Sequence, residues 1–315
     1  MPSPFHIPSL LFCPHCDTPV LVNEPPIIEY FDNQSGVCLA IDCAKPINWW
    51  DCVLKSIKRR FIFGSFAGLG ARTTAFTIVL KPNTPCLVNF ADHEISATAK
   101  ILLVTYSPQG GNLFPLEDHG NTPVRHFIPN QITLWSRPEG PAPYTDTLVN
   151  VLVTWLPPAE SDIAWQNIVE AFEAFHIRRL SSTVMPANVA VESTLLQLLT
   201  ESFVSKGISR KNIEECLENG ATYSHQLNVL LPALVAFIGA PNLPDHIRGL
   251  LNRLRKRRNE MAHRGFLSSD FTDDEAADGL CAALFAFNYF NLVREHVAGK
   301  RSPLNAPGHT RPNLT

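Results

Sequence analysis

Two kinds of hydrophobic pattern follow one another along the chain. Between residues 61 and 157, short runs rich in Val, Ile, Thr, Phe and Leu alternate with clusters of Pro, Gly and Asn. Such runs predict strands separated by turns. The expected strands cover residues 73–80, 87–90, 101–106, 124–128 and 148–155. This region is therefore predicted to fold as a small β-sandwich or barrel.

From residue 161 the apolar positions recur at the spacing of α-helices. Pro157 and Pro158 interrupt the strand pattern and mark the boundary. Gly265 suits a helix C-terminal cap, and the three acids at 273–275 suit a helix N-terminus. The expected helices cover residues 161–179, begin at 188 and 209, and cover 225–238, 244–265 and 273–297.

The two ends of the chain differ from both of these regions. Residues 1–60 hold five of the eight cysteines, whereas residues 300–315 are rich in Pro and Asn and predict a flexible tail. The sequence thus predicts an α+β multidomain protein. It would have a zinc-ribbon-like domain over residues 1–60, a β-rich domain over 61–157 and an all-helical domain over 158–299.

Composition limits the setting in which the protein works. The net charge of −3 excludes a polycation, so any affinity for nucleic acid must come from a local patch. The longest apolar stretches, residues 227–240 and 280–293, are shorter than the ~20 residues that span a bilayer. The N-terminus lacks the pattern of a secretory signal. We therefore expect a cytoplasmic protein without a membrane span, whose cysteines stay reduced.

Cys13 and Cys16 form a two-cysteine motif that has two interpretations. A redox pair should open a helix after a strand, and Pro19 argues against a continuing helix. Half of a structural zinc site instead needs a second pair of ligands beyond a hairpin. Residues 20–31 and 37–42 suit that hairpin, so zinc is favoured over redox chemistry.

The second half of the zinc site is less regular. Cys43 is the expected third ligand, but Pro46 stands where a typical ribbon has its next cysteine. Cys52 is predicted to close the site. Cys38 is disfavoured because it lies five residues back along a predicted strand, ~16 Å away if extended. A degenerate site without metal stays open as an alternative.

The segment of residues 247–265 carries an unusually placed arginine. Its apolar residues form one stripe at about 100° per residue, and Arg258 falls inside that stripe. Asn259 and His263 lie on a separate polar stripe. Burying a guanidinium is costly without partners, so Arg258 is either a structural arginine with carboxylate partners or a functional one. The basic residues expected on the wet flank of the helix are Arg253, Arg257 and Arg264.

Arg258-Asn259, followed by His263 late in a helix of an all-α region, resembles the motif of the HEPN superfamily. The resemblance covers roughly the last 140 residues. It implies a metal-independent ribonuclease in which His263 is the acid–base, Arg258 stabilises the phosphate and Asn259 positions the reacting groups. HEPN domains commonly pair, so the resemblance also implies a homodimer.

The chemistry of RNA cleavage explains these residue types. Imidazole titrates near neutrality and can exchange protons with the attacking and leaving oxygens. A guanidinium can bind the phosphoryl oxygens as their charge grows. On an ideal helix Arg258 and His263 point about 140° apart. The helix must therefore end or bend near His263, or a second chain must complete the site.

The leading functional prediction is an endoribonuclease that acts as a toxin or defence effector, a role that the resemblance alone implies. Arg253, Arg257 and Arg264 would hold the RNA backbone, and an inhibitory or triggering partner would restrain the enzyme. The alternative is a non-catalytic HEPN module. In that case the ribbon and the β-rich domain would sense a ligand or partner, and the helices would dimerise.

Overall fold

The computed structural model of the protein describes residues 5–7, 9–22, 26–31, 36–117, 130–138, 141–158, 162–268 and 270–299. Sheets in the middle of the chain and helices in its C-terminal part confirm the predicted mixed α and β class. The chain divides into two compact units. The β unit comprises Met1–Leu11, Pro19–Asn23 and Phe61–Glu160, and the helical unit comprises Phe12–Thr18, Glu24–Arg60 and Ser161–Thr315.

The strands of the described residues make two larger antiparallel sheets and two short hairpins. One sheet has the order β1-β6-β11-β8 and the other the order β7-β10-β9. The predicted strand at residues 124–128 lies outside the described residues. In chain order the strands are β1 (Phe5–Ile7), β2 (Ser9–Phe12), β3 (Pro19–Val22), β4 (Gly36–Val37), β5 (Pro46–Ile47), β6 (Arg72–Leu80), β7 (Cys86–Asn89), β8 (Lys100–Gln109), β9 (Leu113–Glu117), β10 (Gln131–Pro138) and β11 (Thr147–Leu156).

The core of the β unit lies between its two larger sheets. Phe76 and Val151 come from the four-stranded sheet, and Val88, Ile132 and Leu134 come from the three-stranded sheet. Successive side chains of a strand point to opposite faces, so alternate residues of β10 face this core. Complete burial of one such side chain stabilises the fold by about 1.5–3 kcal/mol.

Helices dominate the second unit. Two π-helical segments, Glu215–Gly220 and Gln226–Leu230, flank a single short helical turn. The helices of the described residues are, in chain order, α1 (Pro26–Phe31), α2 (Trp49–Lys58), α3 (Ile62–Ser65), α4 (Ile163–His176), α5 (Ser181–Ser205), α6 (Arg210–Glu214), α7 (Tyr223–His225), α8 (Leu231–Ile238), α9 (Asp245–Arg264) and α10 (Asp273–Val297). Of these, α3 belongs to the β unit.

The helix α10 is the centre of the helical unit. It packs against α2, α4, α5 and α9, and Leu280, Phe285, Phe290 and Val293 are almost completely buried. Among the described helices, α10 alone is long and apolar enough to cross a membrane. Because 83% of its most apolar window is buried by other parts of the chain, it has the character of a core helix.

Residues 12–18 and 24–60 belong to the same compact unit as the C-terminal helices, whereas the sequence predicted a separate domain over residues 1–60. The reason lies in α2, whose apolar face packs on α10. The Trp50 ring lies 4.9 Å from that of Phe285. Lys58 also pairs with Asp274 and Asp278 at 2.9 and 3.3 Å.

Candidate functional site

Four cysteine side chains converge in the N-terminal part of the helical unit. The sulfur atoms of Cys13, Cys16, Cys38 and Cys43 all lie within 4.8 Å of one another. The Sγ–Sγ distance is 3.6 Å between Cys16 and Cys38 and 3.9 Å between Cys13 and Cys43. Thiolates around a tetrahedral ion with bonds of about 2.3 Å lie about 3.8 Å apart. The spacing of the four sulfur atoms is therefore compatible with a site for a metal that prefers sulfur.

Two small turns bring these cysteines together. Cys13 and Cys16 lie in the turn between β2 and β3, where the Cys13 amide donates to the Thr18 carbonyl at 3.0 Å. Cys38 and Cys43 lie in the turn between β4 and β5. There the Cys43 amide donates to the carbonyl of Ala40 at 2.9 Å. The Oγ1 atom of Thr18 lies 3.3 Å from Cys16 Sγ, and this contact is the largest of several hydrogen bonds that together lower the pKa of the Cys16 thiol to about 6.

The observed cluster corrects the predicted fourth ligand, because Cys38 takes the place of Cys52. The strand before Cys38 has only two residues, Gly36–Val37, and the chain then turns back at Cys38 instead of continuing extended to Cys43. Cys52 lies in α2 with no exposed surface, and burial raises its pKa to about 12. Helix α1 also occupies Pro26–Phe31, where the sequence predicted part of a ribbon hairpin.

The cysteine cluster is tied to α2 by ion pairs. Asp17, in a left-handed conformation with φ of 65°, pairs with both Lys55 and Arg59. The hydrogen bond from Lys55 is the main cause that lowers the pKa of Asp17. Lys55 also donates to the carbonyl oxygen of Pro14 at 3.1 Å. The position of the first turn therefore depends on the position of α2.

At the C-terminal end of α9, Arg257 is held by several acidic residues. Its guanidinium donates to both carboxylate oxygens of Glu275, at 2.7 and 2.8 Å, and to Glu260 at 3.1 Å. It also donates to Ser268 at 2.7 Å and to Asp270 at 3.3 Å. Only 18% of the side chain is exposed. The bonds to Glu275 and then Asp270 raise the pKa of Arg257.

This arrangement contradicts the predicted position of Arg257 on a wet flank. The turn after α9 and the acidic first turn of α10 bring carboxylates to that side of the helix, and helical periodicity alone does not reveal them. The guanidinium donors of Arg257 are consequently engaged by carboxylates and a hydroxyl of the same chain. The other two predicted cationic contacts, Arg253 and Arg264, are exposed, and Arg264 lies 3.4 Å from Glu260.

Arg258 has a sparser set of partners than Arg257. Its Nη2 donates to Glu192 on α5 at 3.1 Å, and its Nη1 donates to the side-chain oxygen of Asn259 at 3.1 Å. A third of the side chain, 33%, is exposed, although its Nε is buried without a partner among the described residues. Arg258 thus sits at the rim of the bundle rather than in its core.

Further polar atoms lie buried near this ion pair. Burial raises the pKa of Tyr223, and the charge of Glu192 raises it further, while Arg255 lowers it. The Tyr223 hydroxyl and the Arg255 Nε are buried without hydrogen-bond partners among the described residues. The sequence analysis assigned no role to Glu192. The available signal was the spacing of Glu192, which follows the polar Asn188 by four residues. The two residues therefore share one face of a mainly apolar helix.

His263 lies in the last turn of α9 and is exposed. The helix continues without a break to Arg264 and ends at Gly265, where φ is 77°. The helix thus ends near His263, one of the two possibilities left open by the sequence, but it is unbroken from Arg258 through His263. Within one chain Arg258 and His263 remain about 140° apart around the axis, so the structure does not bring them to one face.

These side chains could bind a phosphate at Arg258 and move a proton at His263, provided that two such helices face each other. Comparisons with known proteins give no family for the chain. No protein-family model, no curated protein and no solved structure matches it.

Proposed function

We propose that the protein is a metal-independent endoribonuclease of HEPN type that acts as a homodimer, with a role as a toxin or defence effector. The supporting observation is the contrast between two adjacent arginines. Arg257 is bonded to three carboxylates, whereas Arg258 has one carboxylate and a third of its side chain exposed. A guanidinium that still has exposed surface can donate hydrogen bonds to a phosphate oxygen as an additional partner.

Each residue of the motif has a chemical task in this proposal. His263 removes the proton from the 2′-hydroxyl, and the second copy of His263 protonates the leaving 5′-oxygen. The product is then a 2′,3′-cyclic phosphate. Arg258 stabilises the charge that grows on the phosphoryl oxygens. Asn259, whose side-chain oxygen already accepts from Arg258, keeps the guanidinium oriented.

The homodimer is proposed because α9 is unbroken between Arg258 and His263, so that a second chain would bring another His263 to the face of Arg258. The apolar residues of α10 between positions 280 and 293 are buried in the core of one chain, so the contact between copies needs another surface. Phe237 and Val229 remain exposed around α8, and Phe266 remains exposed beyond His263. These three side chains are candidates for the contact between copies.

The decisive experiment compares His263→Ala with wild-type protein on mixed cellular RNA, with and without EDTA. General acid–base catalysis contributes ~10²–10⁴ in rate, so the variant should lose at least that much. His225→Ala is the matched control, because His225 is also exposed but lies on α7. Cleavage that survives in His263→Ala refutes the proposed chemistry. Cleavage lost equally in His225→Ala points to a general loss of structure.

We also propose that the four-cysteine cluster binds one structural zinc ion. The support is the spacing of the four sulfur atoms and the preference of zinc for thiolates. The zinc would hold the two turns against α2. It would take no part in RNA cleavage, because its thiolate ligands fill all four positions and leave none for water or substrate.

A second candidate function is a non-catalytic HEPN module that dimerises and binds a partner. The observation that favours it is the Arg258–Glu192 ion pair, since an arginine that links α9 to α5 has a structural role. The two proposals differ in one measurement. If Glu192→Ala and Arg258→Ala lower the melting temperature equally and wild-type protein cleaves no RNA and is not toxic to cells, the module is the better description.

A further inference from the structure

The three-stranded sheet of the β unit has an outer face that carries several exposed apolar side chains. On β10, Ile132 and Leu134 point into the core, so Thr133, Trp135 and Arg137 point outward. The large apolar side chains that share this outer face, with their exposed fractions, are Leu87 (64%), Trp135 (46%), Leu116 (42%) and Phe114 (39%). A contiguous exposed patch of this kind marks an interaction site more often than scattered apolar residues do.

The register of the sheet sets the positions of its two aromatic rings. Trp135 lies directly opposite Leu116, and Phe114 lies directly opposite Arg137. Trp135 and Phe114 are therefore diagonal neighbours on adjacent strands, with backbone positions about 7–8 Å apart. The Arg137 guanidinium carbon lies 5.6 Å from the centre of the Phe114 ring. The face thus holds two separate rings and one cation beside them.

These groups match the chemistry of unpaired nucleotides. Single strands expose base faces that stack on aromatic side chains, and sheets with aromatic residues on adjacent strands bind two or three bases in this way. Thr133 lies opposite Leu87, and Gln131 lies opposite Asn89, so hydrogen-bonding groups continue along the strand from Trp135. Among the residues of this face whose side chains are described, none is acidic, which suits a polyanion.

We propose that the outer face of the β7-β10-β9 sheet is a binding site for single-stranded RNA, with Trp135 and Phe114 each stacking on one base. The site is separate from the motif on α9, and its occupation does not depend on cleavage. The proposal of RNA binding can therefore be correct even if the proposal of nuclease activity is wrong.

The test measures fluorescence anisotropy of a labelled, 2′-O-methylated single-stranded RNA of about 20 nucleotides with the full-length protein. This RNA lacks the hydroxyl needed for cleavage, so the assay reports binding alone. Removing one stacking ring should weaken binding roughly 5- to 100-fold. This loss is expected for Trp135→Ala and for Phe114→Ala, whereas Trp135→Phe should retain most of the affinity. Duplex RNA of the same sequence should bind much more weakly, because its bases are already stacked.

Leu148→Ala is the matched control for truncation of an exposed side chain. Leu148 is 47% exposed, about as much as Trp135, and pairs with Val79 on the other sheet. Its truncation should leave the affinity unchanged. Unchanged affinity in both Trp135→Ala and Phe114→Ala overturns the proposal, as does equal binding of duplex and single strand. If Trp135→Ala instead dissociates an oligomer without altering RNA affinity, the face is a contact between copies.

Discussion

The first prediction concerns how much the two neighbouring arginines of α9, Arg257 and Arg258, each stabilise the fold. Replacing Arg257 with Ala leaves Glu275, Glu260 and Asp270 without their shared cation. It also releases the loop after α9, because Arg257 holds Ser268. Replacing Arg258 with Ala removes one ion pair to Glu192 at the rim. We therefore expect Arg257→Ala to destabilise the fold more than Arg258→Ala does.

The size of the effect follows from the number and exposure of the pairs. An exposed ion pair contributes about 0.2–1 kcal/mol, and a bidentate arginine pair of low mobility lies at the upper end. Three pairs on a side chain that is 18% exposed give roughly 1–3 kcal/mol for Arg257. The single pair of Arg258 gives at most about 1 kcal/mol. For a unit of 150–250 residues, 1 kcal/mol shifts Tm by about 2–4 °C.

Thermal unfolding by circular dichroism at pH 7 and low salt should thus show Tm lowered by roughly 2–12 °C in Arg257→Ala. The loss in Arg258→Ala should be no more than about 4 °C. Arg253→Ala, at an exposed position of the same helix, is the control and should melt like wild type. An Arg257→Ala protein within 1 °C of wild type, or an Arg258→Ala protein that is the less stable, would refute the reasoning.

The loss of stability in Arg257→Ala should depend on pH. Arg257 lowers the pKa of Glu260, and Ser268 together with Arg257 lowers the pKa of Asp270. A carboxyl group whose folded-state pKa is lowered stabilises the fold above its unfolded pKa and loses that effect as pH falls through the folded value. The difference in Tm between wild type and Arg257→Ala should therefore be complete above about pH 5 and shrink on acidification. A difference that grows below pH 4 would contradict this assignment.

Three further results are expected. Elemental analysis should find one zinc per chain, with occupancy lowered in Cys38→Ser but not in Cys52→Ala; the opposite ranking would refute the observed cluster. Removal of metal by a chelator should lower the Tm of the helical unit, since the turns around Asp17 are paired with α2; an unchanged melting curve would show that the cluster is not structural. Light scattering of the full chain should give a dimer at micromolar concentration, which Phe237→Glu or Phe266→Glu should weaken; a monomeric wild type would remove the composite site.

Several features were predictable because short-range patterns determine them. The last two helices were predicted at 244–265 and 273–297, within a residue or two of the observed bounds. Their caps, Gly265 and the first-turn acids of α10, act within one turn of the residues that they stabilise. Short runs rich in Val, Ile, Thr, Phe and Leu between turn-forming clusters likewise identified β6, β7, β8 and β11.

The start of α5 shows where such local reasoning fails. It was predicted at Asn188, which resembles a helix cap, but the helix begins at Ser181. Asn188 is buried within the helix, and its side-chain atoms have no hydrogen-bond partner among the described residues. Packing of α5 against α4 and α10 outweighs the preference of this residue for a helix end.

What the sequence determined by itself was the cysteine pair at 13 and 16 with Cys43 as a further ligand, a β-rich middle, a helical C-terminal part and the motif of Arg258, Asn259 and His263. What the tertiary structure decided was which side chains meet. Cys38 rather than Cys52 joins the cluster because the chain reverses directly after a two-residue strand. Arg257 rather than Arg258 has several carboxylate partners, because Glu275 on α10 and Asp270 in the preceding loop lie beside it. Periodicity assigns a residue to a face of its own helix, but the partners on that face come from distant segments, whose positions only the packed fold defines.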